Sequence, residues 1–580
     1  MGTHASSLLA ACVVVIASAT AQRDPVMFPI GSGNTFSRDQ VIASDASSVH
    51  VAWISTERGG HHVRAASSID GGATWTSVAT SIDSAPDVSR CHDQQLVVQG
   101  STVYAVWVDD RIGVATLWFN RSLDGGATWM TTDTRIDTAP IGSELLATPA
   151  ITVSGNDVFV VWTDHRSGEW KIRGNASHDR GATWMGADVP ISTVGEGSVA
   201  PQVGVSGTVV CAAWTEHGRF LGNGDVYFAR SLDNGTTWTP EVRLDSGLES
   251  VGDSHSVRMS ISGDDVHVAW VDGRNGLPPA GYDIYYNRSS DRGASWFATD
   301  VRLDTDAPGS NTSGLVALAS AGSAVYVAWT ESHPMRRGIF ANWSLDGGAT
   351  WRTSDFSVSG TESGYWPDIA AQGSSIYVVW HVYAADGGLD VRCNRSFDFG
   401  ASWLASPSTL NTDPGQWAWA SYARIAMGVD SLYVTWEQSS SVAFTIPFGA
   451  LPFGIGSPGT FGVVPTLSII GRATRGSVVC LELDRTVGGS IGAITIGFGS
   501  PSRTTFPVLG GTLLVDPDLV VPITLGGAVG NPGIGSVSVP LSLPLHPAWS
   551  GANVNFQALI IDPGAPGGVS MSNGVELWIG

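Results

Sequence analysis

Apolar and polar positions alternate along most of this chain, in short bursts. Val49-His50-Val51-Ala52-Trp53 is one such burst and ends in tryptophan. Period-two alternation puts successive side chains on opposite faces of a strand. Related bursts end at Trp107, Trp162, Trp214, Trp270, Trp329, Trp380 and Trp436. A second pattern is interleaved with the first, Ser-x-Asp-x-Gly-x-(Thr/Ser)-Trp. Its aspartates are Asp70, Asp124, Asp179, Asp233, Asp291, Asp346 and Asp398. Its tryptophans are Trp75, Trp129, Trp184, Trp238, Trp296, Trp351 and Trp403. The aspartates follow one another at 54, 55, 54, 58, 55 and 52 residues, so the chain is a repeat protein.

Each unit divides into four short strands. In the fourth unit these are expected at 201–205, 209–214, 225–230 and 238–244. The aspartate motif bridges the third strand to the fourth. Its glycines permit a tight turn, its aspartate accepts hydrogen bonds from turn amides, and its tryptophan starts the fourth strand. All these motif residues are read as structural, because the device recurs in every unit. Four antiparallel strands per unit describe a propeller blade. The expected fold is all-β: an eight-bladed propeller followed by a C-terminal β-sandwich. The eighth blade has strands near 421–427 and 432–436 and a third near 442–446. An N-terminal strand at 25–30 would close the ring. Seven blades is the alternative, with the last two strands packed elsewhere.

Composition sharpens these boundaries. Residues 22–448 form the propeller and the Gly/Pro-rich stretch 449–465 is a linker. Residues 466–580 form the sandwich, a normal single-domain size. Residues 1–21 read as an export signal, with an apolar run from Ala10 to Ala17 and a small-x-small site at Ala19-Thr20-Ala21. The chain is therefore expected to be secreted or cell-surface, without a membrane span. Cys12 offers a lipoprotein alternative. Cys91, Cys211, Cys393 and Cys480 have no metal-binding spacing and read as small buried residues, with one disulfide left open. The net charge of -22 and a single lysine, Lys171, argue against nucleic acid as a partner. No cofactor or metal motif is present. Gly488 to Gly492 matches a nucleophile-elbow pattern by chance, in a Gly-rich β-region. A monomer is expected.

The seven aspartate motifs resemble the Asp-box, or BNR, repeats of the sialidase-like superfamily, over roughly residues 25–448. The segment from Phe556 to Gly568 looks like a tail common on exported proteins of planctomycete-type bacteria. The first resemblance implies a propeller fold. It does not by itself imply catalysis, because Asp boxes also occur in non-hydrolytic, sugar-binding propellers. Sialidases of this type hold a carboxylate with three arginines and use a tyrosine nucleophile activated by a glutamate. Their early Arg-Ile-Pro signature is absent: neither Arg111-Ile112 nor Arg135-Ile136 is followed by proline. Three functions are therefore carried forward: a secreted propeller binding extracellular glycans or other ligands, an exo-sialidase-type hydrolase, and a non-catalytic surface scaffold or adhesion protein.

Loops joining the second strand to the third, and the fourth to the next unit's first, emerge on the face opposite the Asp boxes, here called the upper face. There the chain repeats an acid–arginine pattern, with Asp110 and Arg111, Asp164 and Arg166, Glu216 and Arg219, and Asp272 and Arg274. These residues could face an anionic ligand, with carboxylates nearby for proton transfer. Their repetition favours a structural ion pair in each loop, since catalytic groups normally occur once. Non-repeated candidates are Tyr282 in the long fifth loop, Asp253 and His255 before the fifth unit, and Glu362, Tyr365 and Trp366 before the seventh. The sixth loop adds His333, Arg336 and Arg337, and the seventh adds His381, Tyr383 and Asp386. A tyrosine beside a carboxylate among these would suit a sialidase-like nucleophile.

Overall fold

The computed structural model describes residues 10–15, 26–30 and 36–438, interrupted at 46–47, 58, 72–74, 77–79, 143–145, 218–223, 249–251, 277–280, 334–335, 384–387, 397, 405, 411–420 and 429–430. Beyond these it describes 444–447, 450–453, 464–470, 478–498, 504–506, 511–513, 518–526, 535–543, 552–565 and 568–579. Arg219, Asp386, the cleavage site at residues 19–21 and most of the 449–465 linker lie outside the described residues. The chain divides into two compact units, the first built chiefly from residues 25–429 and the second from 446–580.

The first unit is all-β. Seven four-stranded antiparallel sheets follow one another along the chain. The fourth is typical, with Gly197–Ser206, Val209–His217, Gly224–Ser231 and Val242–Arg243 in that order. The fourth strand is shorter than the sequence suggested. Only two residues pair, and Trp238 belongs to the turn before them. An eighth sheet holds Ser421–Met427, Ser431–Gln438, Ala10–Val15 and Val26–Ile30, with Phe444–Pro447 also pairing to Ser431–Gln438. Ala10–Val15 falls inside the stretch read as an export signal and takes the place beside Ser431–Gln438, so Val26–Ile30 is one strand further out. First strands of consecutive sheets contact one another, and that of the eighth returns to that of the first. Side chains fasten this return: Gln40 donates to the Tyr422 carbonyl at 2.6 Å, and Ser44 donates to the Met427 carbonyl at 2.8 Å.

Both repeated patterns have a packing explanation. The second-strand tryptophans are buried against the preceding sheet. Trp107 meets Ala52, Ile54 and Val63 of the first sheet, and Trp162 meets Val106 and Leu117 of the second. Such burial is the dominant favourable contribution to sheet packing. In the fourth turn, Asp233 accepts from Ser231 Oγ and the Thr237 amide at 2.8 Å and from Thr237 Oγ1 at 2.7 Å. The same amide contact recurs at Asp124, Asp179, Asp291, Asp346 and Asp398. The turn also joins neighbouring sheets. Trp184 stands edge-on to Phe119 at 4.9 Å, and Trp296 to Phe228 at 4.8 Å. Gly181 has φ +76°, and a Cβ there would lie 2.5 Å from the Phe119 ring, so both backbone and space demand glycine. Cys91, Cys211 and Cys393 are buried free thiols, and Cys480 is a half-buried one.

The first strands of seven sheets carry a β-bulge near their start that the sequence did not announce, and Tyr422 in the eighth has the same left-handed φ. Pairing slips by one residue there, as between His255 and Arg258 or between Tyr365 and Asp368. The left-handed residues are Asp39, Asp93, Thr148, Ala200, Ser256, Leu315, Trp366 and Tyr422, with φ between +48° and +57°. None is glycine, and the side chain each presents is set by this local backbone.

The second unit packs a five-stranded sheet against a three-stranded one. Leu467, Ile469, Val479, Leu481 and Leu483 from the smaller sheet interdigitate with Ile494, Val554, Phe556, Ile560 and Leu577 from the larger. This is a β-sandwich. Ala450–Phe453, read as linker, is an edge strand paired to Val569–Ile579. No helix among the described residues is long and apolar enough to cross a membrane.

Candidate functional site

The repeated arginines of the upper face are held inside their own sheets. Arg111 binds Asp109 at 2.6 Å and Asp133 at 2.5 Å and lies 4.0 Å over the Trp118 ring. Arg166 binds Asp164 and, at 2.8 Å, Asp188. Arg274 binds Asp272 and Asp300 and lies 4.0 Å over Tyr285. Arg336 repeats the arrangement with Asp355 and Phe340. For Arg111, Arg166 and Arg274 one acid ends the second strand and the other precedes the fourth, whereas the second acid near Arg336 is Asp306, at 3.7 Å. The guanidiniums are thus filled by two carboxylates apiece and do not converge. Asp110 serves the backbone, accepting the Arg90 amide at 2.7 Å. In the fourth sheet, Glu216 accepts the Gly197 amide at 2.9 Å and a bond from Ser198, and burial raises its pKa.

A second repeated device follows the fourth strand. Asp137, Asp245 and Asp304 accept the first amides of third strands, from Leu117, Val226 and Ile284. In the fifth sheet this grows into a cluster of Asp283, Asp304 and Asp306 whose oxygens lie within 4.8 Å of one another. Arg302 reaches all three, at 3.0, 2.8 and 2.5 Å, and so stands where a cation would sit. Burial, with the Asp283 charge beside it, pushes Asp304 up to about 9.

The non-repeated residues do converge, at the junction of the fourth and fifth sheets. His217 ends a second strand, Asp253 and His255 lead into a first strand, and Tyr282 leads into a third strand. Asp253 precedes that first strand close enough for its charge to act on Tyr282. The His255 ring lies 5.3 Å from the Tyr282 ring, edge-on. His217 Nδ1 is 3.9 Å from the Asp253 carboxylate. His255 Nδ1 is engaged by Ser256 Oγ at 2.9 Å. Burial holds His255 below the ordinary histidine value, against the Asp253 charge that raises it. Burial and the Asp253 charge hold Tyr282 above the ordinary phenol value. At neutral pH the site therefore offers a neutral imidazole and a protonated phenol side by side, which is the equipment of proton acceptor and proton donor. Tyr282, Asp253 and His255 were named from the chain. His217 was read only as part of the repeated loop, because nothing in sequence shows that the fourth loop touches the fifth.

The other tyrosine candidate is arranged differently. Glu362 pairs with Arg392 at 3.0 Å, whereas Tyr365 lies against His381 and Tyr383, with centroids 6.1 and 5.6 Å apart. A cavity of about 380 Å³ between the sixth and seventh sheets is lined by Arg352, Phe356 and Trp403, with Arg352 its one charged residue. It contains no acid–base pair.

No family model matches the chain, and no curated protein matches it. Solved structures do align with it. Polysaccharide lyase Uly1 aligns at 11% identity with a TM-score of 0.41, over 61% of this chain and 90% of its own. The GH93 α-L-arabinofuranosidase of Fusarium graminearum aligns at 15% identity with a TM-score of 0.35, over 54% of this chain and 96% of its own. A Mycobacterium tuberculosis puromycin-hydrolyzing peptidase aligns at 12% identity with a TM-score of 0.42, over 77% of this chain and 58% of its own.

Proposed function

We propose that this chain is an exported propeller that cleaves glycans on its upper face, with Tyr282 and His255 moving the protons. The observation that carries the reading is the edge-on packing of the Tyr282 and His255 rings at 5.3 Å, with the Asp253 charge acting on both. His255 in its neutral form accepts a proton from an attacking water whose oxygen bonds the anomeric carbon as the glycosidic bond breaks, and Tyr282 donates its proton to the departing sugar oxygen. His217 sets the polarity around the carboxylate. The contact of first strands in a cycle of eight sheets supports an eight-bladed ring as the scaffold. Removal of an export signal after Ala21 would take away Ala10–Val15 and leave Val26–Ile30 as the segment able to pair with Ser431–Gln438.

A phenol within reach of a carboxylate's charge also favours a tyrosine-nucleophile reading of sialidase type. That reading lacks a clamp in Arg111, Arg166 and Arg274, which are filled by aspartates. One experiment separates the two. The full chain is incubated with arabinan, polygalacturonate, chondroitin sulfate and a fluorogenic sialoside, and new reducing ends, unsaturated ends and free fluorophore are followed. Cleavage of a polysaccharide is expected, falling about 10²-fold or more in Tyr282→Phe and His255→Ala. The wild-type rate should rise through a pKa below the ordinary histidine value of about 6.5, as His255 loses its proton, and His255→Ala should flatten that limb. Unchanged rates in both variants would place the chemistry on other residues, and no cleavage of any substrate would leave a binding protein. Release from the sialoside alone would move the assignment to sialidase.

A further inference from the structure

We infer that a second sugar-binding site lies on the upper face at the seventh and eighth sheets, an aromatic platform formed by Trp366 and Tyr422 over His381. It rests on the reading of this face as a glycan site, and it would hold a further unit of the chain cleaved near Tyr282. Trp366 and Tyr422 occupy equivalent left-handed positions in neighbouring sheets. Their rings are 5.2 Å apart at 61°, and they remain 38% and 41% exposed. Trp366 is also one of the eight tryptophans that neither repeated pattern uses. It therefore lies outside the repeated motifs that account for the other fifteen.

The polar complement is present as well. His381 lies 5.2 Å from the Trp366 ring and is buried, and its Nδ1 has no hydrogen-bond partner among the described residues. A buried polar atom without a partner is costly, and one beneath two exposed rings can be satisfied by a ligand hydroxyl. Asp368 and Arg424 follow the two aromatic residues by two positions, and the charges of both act on Arg258. Arg258 lies three residues after His255 on the same first strand. A sugar ring has an apolar C–H face and a rim of hydroxyls. Aromatic faces with a few directed polar groups match that chemistry and set orientation.

The test is affinity electrophoresis of the full chain in native gels cast with arabinan, larch arabinogalactan, polygalacturonate or chondroitin sulfate. Wild type should be retarded in at least one gel. Trp366→Ala and Tyr422→Ala should each weaken that retardation at least tenfold, while Trp366→Phe keeps it. Tyr282→Phe should migrate like wild type even where its cleavage is lost, which separates failure of the platform from failure of the catalytic reading. Should either alanine variant melt early, Tyr383→Ala carries the test. That residue is 66% exposed beside Tyr365, and its loss should also weaken retardation. Wild type running free in all four gels would overturn the inference. So would well-folded alanine variants retarded as strongly as wild type.

Discussion

Arg166 shows how a charged residue that looks poised for a ligand can be spent on the fold. Its guanidinium bridges Asp164 and Asp188, both almost wholly buried. Removing it leaves two buried carboxylates without a counter-charge, a loss that destabilises by roughly 3–5 kcal/mol. Arg166→Ala is therefore expected to lower the midpoint of denaturant unfolding clearly, with the cleavage rate per folded molecule unchanged. A variant as stable as wild type but inactive would instead place this arginine at the substrate. The sequence carried half of this arrangement. The acid two residues before Arg166 and Arg274 is close in sequence and repeated, so those pairs were legible, whereas Arg111 pairs with Asp109 and not with the Asp110 beside it. The second acid, Asp133, Asp188 or Asp300, precedes a two-residue strand and belongs to no conspicuous motif. Only folding brings it to the same guanidinium. The Tyr282–Asp253 pair was legible as candidates and illegible as neighbours, because it depends on where loops from different sheets end.

The repeated turn connects neighbours as well as strands, and this can be tested on one glycine. Gly181→Ala places a methyl group against Phe119 and forces a left-handed backbone on alanine. Strain and overpacking together should cost about 3 kcal/mol. Phe119→Leu in the same chain should recover the steric part, and a double-mutant cycle by chemical denaturation would measure the coupling. No coupling would mean that the turn does not bear on the next sheet. Strands two and three were readable because period-two alternation and tryptophan mark them. Fourth strands were overestimated because the motif's tryptophan faces the neighbouring sheet from the turn instead of opening a ladder. The first-strand bulges had no sequence signal at all. Asp, Thr, Ala, Ser, Leu, Trp and Tyr fill the left-handed position, and no glycine or asparagine marks it.

At the scale of the molecule, two compact units with separate cores should unfold separately. Calorimetry of the full chain is expected to show two transitions. A chain ending at residue 445 should keep the larger transition and lose the smaller one. A single transition that disappears on truncation would instead make the sandwich part of the propeller's stability. Within the propeller, hydrogen bonds such as that from Gln40 to the Tyr422 carbonyl tie the first sheet to the eighth. The left-handed positions of the first strands have a consequence of another kind. They hold eight side chains at one level on the upper face, and their conformation does not depend on which residue is present: Ala200 and Trp366 share the same backbone. Folding instructions and recognition thus occupy different letters of each repeat. Such a ring can be rewritten one position at a time, and a library varying only these eight residues would explore new ligands on an unaltered frame.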